Sequence, residues 1–507
     1  MDINLTRHSI FTEETLFSER AEAPIECSIV VGGKINKLIK CCYRSTVSSK
    51  SASDRTITVD GTVSVCIIYL DSDNNLCNHE HTLPFSKQLQ AMKDLSSGRI
   101  FVEISDERLG ASVSGENRVT VSGTICLDIQ VKNHIEQQVI CDIDCSSIEQ
   151  LRSSAELTCP MGYGEKNLIA EEEISIGNGQ PSVECLIRHN ATAKIDECKI
   201  IGNKVMVKGS VNIYVLYLPK NASRPQCFEE SFPFSQLIEV DNINDDCKCD
   251  AKADIVFCEL KPTASVDGDI RTFSVSIKLA ISVKSYCDDV VPVLEDAYST
   301  CGRYIAERCD FSFKKIKQNI AEEFIAKKNL EFTDGAIGSV IDLWCDIKNK
   351  NVHFEKDIMK VTGSLTVNLM AYDVDGVPAC YERPIEFEYV YKLDELYCCP
   401  SATVCLTINR PSYTLMGENT VSVSAEVGIN ATIYDSVKKT LLCDIVETEA
   451  QSKSKGSCSI VLYFASEGEK VWDIARRYNS SVGEIKELNS ITDDVIDAPT
   501  KVIIPTK

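Results

Sequence analysis

Val59-Asp60-Gly61-Thr62-Val63-Ser64-Val65-Cys66-Ile67-Ile68-Tyr69 is the stretch whose recurrence decides the fold. It returns as Val207-Lys208-Gly209-Ser210-Val211-Asn212-Ile213-Tyr214-Val215-Leu216-Tyr217, and again as Val361-Thr362-Gly363-Ser364-Leu365-Thr366-Val367-Asn368-Leu369-Met370-Ala371-Tyr372. A second block, marked by Gly115, Gly268 and Gly417, repeats with the same period of about 150 residues. After each first block come a cysteine and a proline: Cys77 and Pro84, Cys227 and Pro233, Cys380 and Pro384. The first two prolines open a Pro-Phe-Ser tripeptide, whereas Pro384-Ile385-Glu386 reads as a drifted copy. Three units therefore fill most of the 507 residues, near 1–150, 151–310 and 311–450. The Ser/Lys/Gly stretch 451–457 reads as a linker, and 458–507 as a separate tail.

Inside each unit the apolar period is two, the spacing of a strand whose alternate side chains enter a core. Val63, Val65, Ile67 and Tyr69 show it, as do Ile125, Leu127, Ile129 and Val131 in the second block. The sister units repeat it, from Phe273 to Val283 and from Val421 to Ile433. Asp71-Ser72-Asp73-Asn74-Asn75 and Asp373-Val374-Asp375-Gly376 sit at equivalent places as hairpin loops. The fold class is mainly β: three repeated antiparallel β-sandwich-like domains, each strand with one wet face. Periodicity does not separate a sandwich from an open barrel. Within residues 313–330 the spacing of Ile316, Ile320 and Ile325 predicts a short connecting helix.

Composition bounds the function. Lys plus Arg number 53 and Asp plus Glu 75, a net charge of −22 that argues against a broad nucleic-acid or anionic-membrane footprint. No apolar run approaches the roughly 18 residues of a membrane span, and Met1-Asp2-Ile3-Asn4-Leu5 lacks a signal-peptide core. With 25 cysteines and that N-terminus, the expectation is a reduced, cytoplasmic protein whose thiols pack as small apolar residues.

From Ser459 the pattern changes to strand, helix, helix, strand. Val471, Ile474, Ala475 and Tyr478 fall on one helical face. Ser481-Val482-Gly483-Glu484 has the form of a capping box opening a second helix that buries Val482, Ile485 and Leu488. Val502-Ile503-Ile504-Pro505 closes the module. Glu467-Gly468-Glu469-Lys470-Val471-Trp472-Asp473-Ile474-Ala475-Arg476-Arg477-Tyr478, Ile485-Lys486-Glu487-Leu488-Asn489 and the closing strand together resemble a LysM domain, a βααβ module. The resemblance implies a binding groove for N-acetylglucosamine glycans or for a protein, at Gly468, Glu469, Lys470, Val471, Trp472, Asn489, Ser490, Ile491 and Thr492. Gly468-Glu469-Lys470 replaces the usual Gly-Asp-Thr opening, and Ala498-Pro499-Thr500 stands where Pro-Gly is usual, which reshapes both walls. Trp472 reads equally as a stacking platform, a protein hot spot or a half-buried core residue.

The three upstream units resemble the SPOCS domain of clostridial spore morphogenetic proteins of the SipL type, through the repeated strand, Pro-Phe-Ser, and Asp296-Ala297-Tyr298-Ser299-Thr300. That resemblance implies a non-enzymatic scaffold in the mother cell, at the forespore outer surface. Its implied partners are coat morphogenetic proteins, the basal-layer coat ATPase among them. The alternative is a peptidoglycan-binding protein anchored to cortex or wall by its LysM domain.

Catalytic and metal motifs are weak. Cys77-Asn78-His79-Glu80-His81 puts 77, 79 and 81 on one strand face, a zinc-like trio, yet the sister stretches at Cys227 and Cys380 carry no histidine. Asp241-Asn242-Ile243-Asn244-Asp245-Asp246 lacks the glycine and terminal glutamate of a calcium loop. No P-loop, nucleophile elbow or H-E-x-x-H occurs, so no cofactor, metal or catalytic residue is expected. A wall hydrolase would need a constellation assembled in space from the six histidines.

Overall fold

The computed structural model describes residues 4–447 and 459–506, apart from 178, 223, 265–267, 302–303, 333–336, 410 and 418. The linker 451–457 lies outside the described residues. The first unit comprises β1 (Asn4–Val30), β2 (Lys37–Ser53), β3 (Thr56–Leu70), β4 (Leu76–Gln90), β5 (Arg99–Gly115) and β6 (Arg118–Asp144). The second comprises β7 (Ile148–Ser175), β8 (Val183–Ile201), β9 (Lys204–Pro219), β10 (Gln226–Glu239), β11 (Lys248–Ala264) and β12 (Ile270–Ser299). The third comprises β13 (Tyr304–Glu331), β14 (Ile337–Glu355), β15 (Ile358–Asp373), β16 (Pro378–Lys392), β17 (Pro400–Ile408), β18 (Ser412–Leu415) and β19 (Thr420–Glu447). The tail folds as β20 (Ile460–Ala465), α1 (Val471–Tyr478), α2 (Val482–Asn489) and β21 (Thr500–Pro505).

Each unit is a sandwich. A meander (β2-β3-β4 in the first unit) faces a sheet in which the first strand pairs with the last (β1-β6-β5), and both sheets feed one core. All pairings are antiparallel, and in the second unit the pair Ile270↔Val183 also links the two packed sheets by backbone pairing. The period-two residues fill these cores: Val63, Val211, Leu365, Ile125, Phe273 and Val421 are fully buried. At the hairpin turns Asp71 Oδ1 accepts the backbone N–H of Asp73 and Asn75, and Asp373 Oδ1 accepts those of Asp375 and Val377.

The recurring glycine has a packing cause. Gly61, Gly209 and Gly363 lie opposite Phe85, Phe234 and Phe387, whose rings cover them. A Cβ on Gly209 would stand 2.2 Å from the Lys194 carbonyl oxygen and 2.6 Å from the Phe234 ring. The register corrects the tripeptide alignment: Glu386-Phe387, not Pro384-Ile385, is the third unit's equivalent of Pro84-Phe85, so the proline drifted and the phenylalanine did not. Gly209→Ala is expected to lower stability by about 1–3 kcal/mol through overpacking. Urea unfolding checks this, and a change below about 0.5 kcal/mol would contradict it.

Residues 313–330 form a strand, not a helix. The register of β13 against β19 shifts between Ile316 and Gln318, so a bulge flips the parity of the inward positions. Phe313 is buried before the bulge and Ile320, Ala326 and Leu330 after it. Two period-two patterns joined out of phase imitate helical spacing. Ile325, on the opposite face, is 69% exposed.

The long first and last strands of each unit run beyond their sandwich as two-stranded ribbons, and the three ribbons pack together as a stem. Ile10 and Val139, Leu157 and Val293, and Phe313 and Leu441 share one apolar cluster, with a representative of every unit. At the meander sheets Ile68, Leu216 and Met370, equivalent positions of the three units, meet in another and are at most 1% exposed. Part of the meander face expected to be wet is therefore covered by sister units.

Charge fixes the order of units around this contact. Lys40, Arg188 and Asp342 occupy one equivalent position, each just past a register shift and opposite Ile68, Leu216 and Met370. Arg188 Nη1 donates to Asp342 Oδ2 at 3.1 Å, Tyr214 Oη donates to Asp342 Oδ1, and Arg188 lies over the Trp344 ring. Lys40 pairs with Glu382. Nearby, burial would lower the His189 pKa, but the Cys258 thiol and the Glu80 carboxylate, 3.0 Å from Nδ1, hold it at about 9. That exceeds the roughly 6.5 of an unfolded chain, so the stabilisation is full below about pH 6.5 and is lost as pH rises through 9. Wild type should lose more stability between pH 6.5 and 9.5 than His189→Gln, measured by thermal unfolding in matched buffers. Parallel curves would rule this out.

Candidate functional site

The tail folds as expected, with corrections. Val471, Ile474, Ala475 and Ile485 are buried in its core, and Tyr478 and Val482 pack against it. The Ser481 side chain makes no capping hydrogen bond, and Leu488 is 54% exposed. Lys470, at the N-cap of α1, also makes no side-chain cap, as its long amine predicts.

The expected groove residues do not share one surface. Gly468, at φ +80°, makes the turn that lets its N–H reach the Ile496 carbonyl at 2.8 Å, and Lys470 bridges Val495, so the two loops are zipped together. Glu469 turns inward, accepting from Tyr463 Oη at 2.7 Å and from the Ser466 N–H. Asn489 belongs to the scaffold of the module: its amide donates to the carbonyls of Ile485 and Ile503 and accepts from the Ile503 N–H, clamping α2 to β21. Ser490 is the left-handed C-cap of α2, Ile491 packs on the core, and Thr492 lies on the exposed turn where its carbonyl accepts from Lys486.

Trp472 and Arg476 have the most informative surroundings. Both project from α1 onto the end of β12, against the sequence Asp296-Ala297-Tyr298. Trp472 Nε1 donates to Asp296 Oδ2 at 3.3 Å, and Arg476 Nη1 donates to the same oxygen at 2.6 Å. Arg308 of the third unit stands 3.9 Å from it. Tyr298 meets the indole edge to face at 4.9 Å and donates its hydroxyl proton to the Ser480 carbonyl at 2.7 Å. Tyr298 thus belongs to the tail's own core. Beside the dock a cleft of about 810 Å³ opens between module and stem, with Lys470, Trp472 and Gly483 on one wall and Gln150, Arg308 and Lys439 on the other. Sequence reading found Trp472 and the Asp296 segment separately. What it missed is that they touch, 176 positions apart.

The other candidates stay apart from chemistry. His79 and His81 stack side by side, Cys77 Sγ approaches Asp71, and Glu80 turns to His189 of the second unit. Among the described residues no group of three His, Cys, Asp or Glu is placed to hold a metal ion. Asn244 Oδ1 organises the 241–246 loop by accepting from the Asp246 N–H. Among the described residues no helix is long and apolar enough to cross a membrane. Against the expectation of thiols throughout, Cys247 and Cys287 are joined as a disulfide between the start of β11 and β12.

Comparison with known families agrees with this architecture. Residues 34–113 and 182–263 match the family described as SipL, SPOCS domain, and residues 466–505 match the LysM domain. Both are non-catalytic binding domains, the first of sporulation proteins and the second a peptidoglycan-binding type. Neither a curated protein nor a solved structure matches the chain.

Proposed function

We propose that this chain, built of SPOCS and LysM domains, is a non-enzymatic scaffold of spore coat assembly. Its three β-units present surfaces to coat morphogenetic proteins in the mother cell, and its LysM module docks a second component at the forespore surface. The observation that carries this reading is the seating of the LysM module on the stem through Asp296 and Tyr298. Such seating makes four modules one body rather than beads on a string. Several weak contacts held in fixed relation raise the effective concentration of each, so no single site needs to be tight.

A second reading, glycan binding at the LysM cleft, is favoured by the indole and lysine that line it. Sedimentation of the full chain with purified peptidoglycan separates the two. The scaffold reading predicts that the chain stays in the supernatant. Retention that is abolished by Lys470→Glu would overturn it in favour of the glycan. Lys470 is the residue to change because Asn489 holds the module together.

A further inference from the structure

The second unit holds two more cysteines in a bonding arrangement across its sandwich. Cys198 of β8 and Cys249 of β11 face each other across the rim of the sandwich, with 3.1 Å between their sulfurs. Both pack against the unit's core while keeping partial exposure. The positions equivalent to Cys198 are Lys50 and Val352, which stand opposite Val59 and Val361 as Cys198 stands opposite Val207. Cys249 is two residues beyond Cys247, whose disulfide to Cys287 ties the start of β11 to β12.

We propose that Cys198 and Cys249 form a second, redox-operated disulfide that staples the meander sheet of this unit to its β7-β12-β11 sheet. In the first step the Cys249 thiolate attacks a low-molecular-weight disulfide, forming a mixed disulfide and releasing one thiol. The Cys198 thiolate then attacks the Cys249 sulfur, forming the Cys198–Cys249 bond and expelling the second thiol. Two protein thiols are oxidised, one external disulfide is reduced to two thiols, and two protons leave with those thiols. Cys249 is the first nucleophile because the Cys198 S–H donates to its sulfur and favours the thiolate, while Cys198, as the donor, keeps its proton. The staple closes in oxidising surroundings and opens in a reducing cytoplasm.

Its location gives it a consequence. β12 is shared by the Cys247–Cys287 bond, the pairing with Cys249 and the LysM dock at Asp296 and Tyr298. Closing the Cys198–Cys249 bond therefore stiffens the unit that carries the C-terminal module. This does not depend on what the module binds.

The test uses the full chain, purified reduced and then equilibrated with glutathione disulfide and glutathione in graded ratios. After alkylation with N-ethylmaleimide and digestion, mass spectrometry should find peptides joined through Cys198 and Cys249 at oxidising ratios, with thermal unfolding raised by several degrees. In Cys198→Ser the joined peptide and the thermal gain should both disappear, with a glutathione adduct trapped on Cys249. Quantitative alkylation of both cysteines at ratios that preserve Cys247–Cys287 would overturn the proposal. So would a link from Cys249 to any cysteine other than Cys198.

Discussion

Asp296→Ala is expected to detach the LysM module from the stem while leaving both folded. The carboxylate is almost fully buried and accepts from the Trp472 indole and the Arg476 guanidinium, so its removal takes away two hydrogen bonds, one of them charged. Bonds to charged groups contribute about 1.5–3 kcal/mol each. Because Arg476 keeps part of its surface in solvent, it can rehydrate, and the net weakening of the dock should be about 2–3 kcal/mol, roughly 30- to 150-fold in its closing constant. Tyr298→Ala should do at least as much by removing a buried ring that is part of the module's core. Tyr298→Phe loses only the bond to the Ser480 carbonyl, about 1 kcal/mol. Hydrogen exchange reads this out. In Asp296→Ala the stem-facing amides of β12 should lose protection while those of β5 and β17 stay unchanged. Unaltered exchange at β12 would mean that the module is held by something else.

The second large effect is expected at the centre of the three units. Asp342 is essentially inaccessible and Arg188 nearly so. Arg188→Met alone strands a buried carboxylate, with the Tyr214 hydroxyl still donating to it, and should cost about 3–5 kcal/mol. Asp342→Leu alone strands the guanidinium over Trp344 and should cost a similar amount. The double replacement removes both desolvation penalties and should recover most of the loss, because a well-packed apolar pair of similar volume is often no less stable than a buried ion pair. Thermal melts of the two single variants and the double variant complete the cycle. Additive losses would contradict this, showing that the pair contributes through shape alone.

How far the sequence carried depended on the range of the interaction. The three sandwiches and the βααβ tail were legible because alternation along Val63 to Tyr69 or helical spacing along Val471 to Tyr478 reports one face of one element, a local property. Bulges broke that legibility. The shift at Ile316/Gln318 in β13 put two strand patterns out of phase and made a helix the nearest match. The proline after Cys380 misaligned the third unit for a related reason: the feature that the fold requires is a ring opposite Gly363, and Phe387 supplies it three residues later. The expected capping box failed because serine at an N-cap position permits the side-chain bond without enforcing it. The groove itself was legible as a chain segment but not as a surface. Trp472 has its partner on another unit, Asn489 spends its amide on β21, and no local pattern encodes either contact. The stem, the Arg188–Asp342 pair and the facing cysteines 198 and 249 all join residues far apart in the chain, where composition and spacing carry no signal.

In the proposed function a rigid array of β-units carries the LysM module to an assembling coat. The most direct measurement is the position of a fluorescent fusion of the full chain in a sporulating cell, beside the same fusion lacking residues 459–507 and the Asp296→Ala variant. The expected result is a continuous rim on the forespore for the full chain, loss of that rim without the module, and a weakened or incomplete rim for Asp296→Ala. A full chain that stays diffuse through sporulation, or a rim unchanged by deletion of the module, would contradict it.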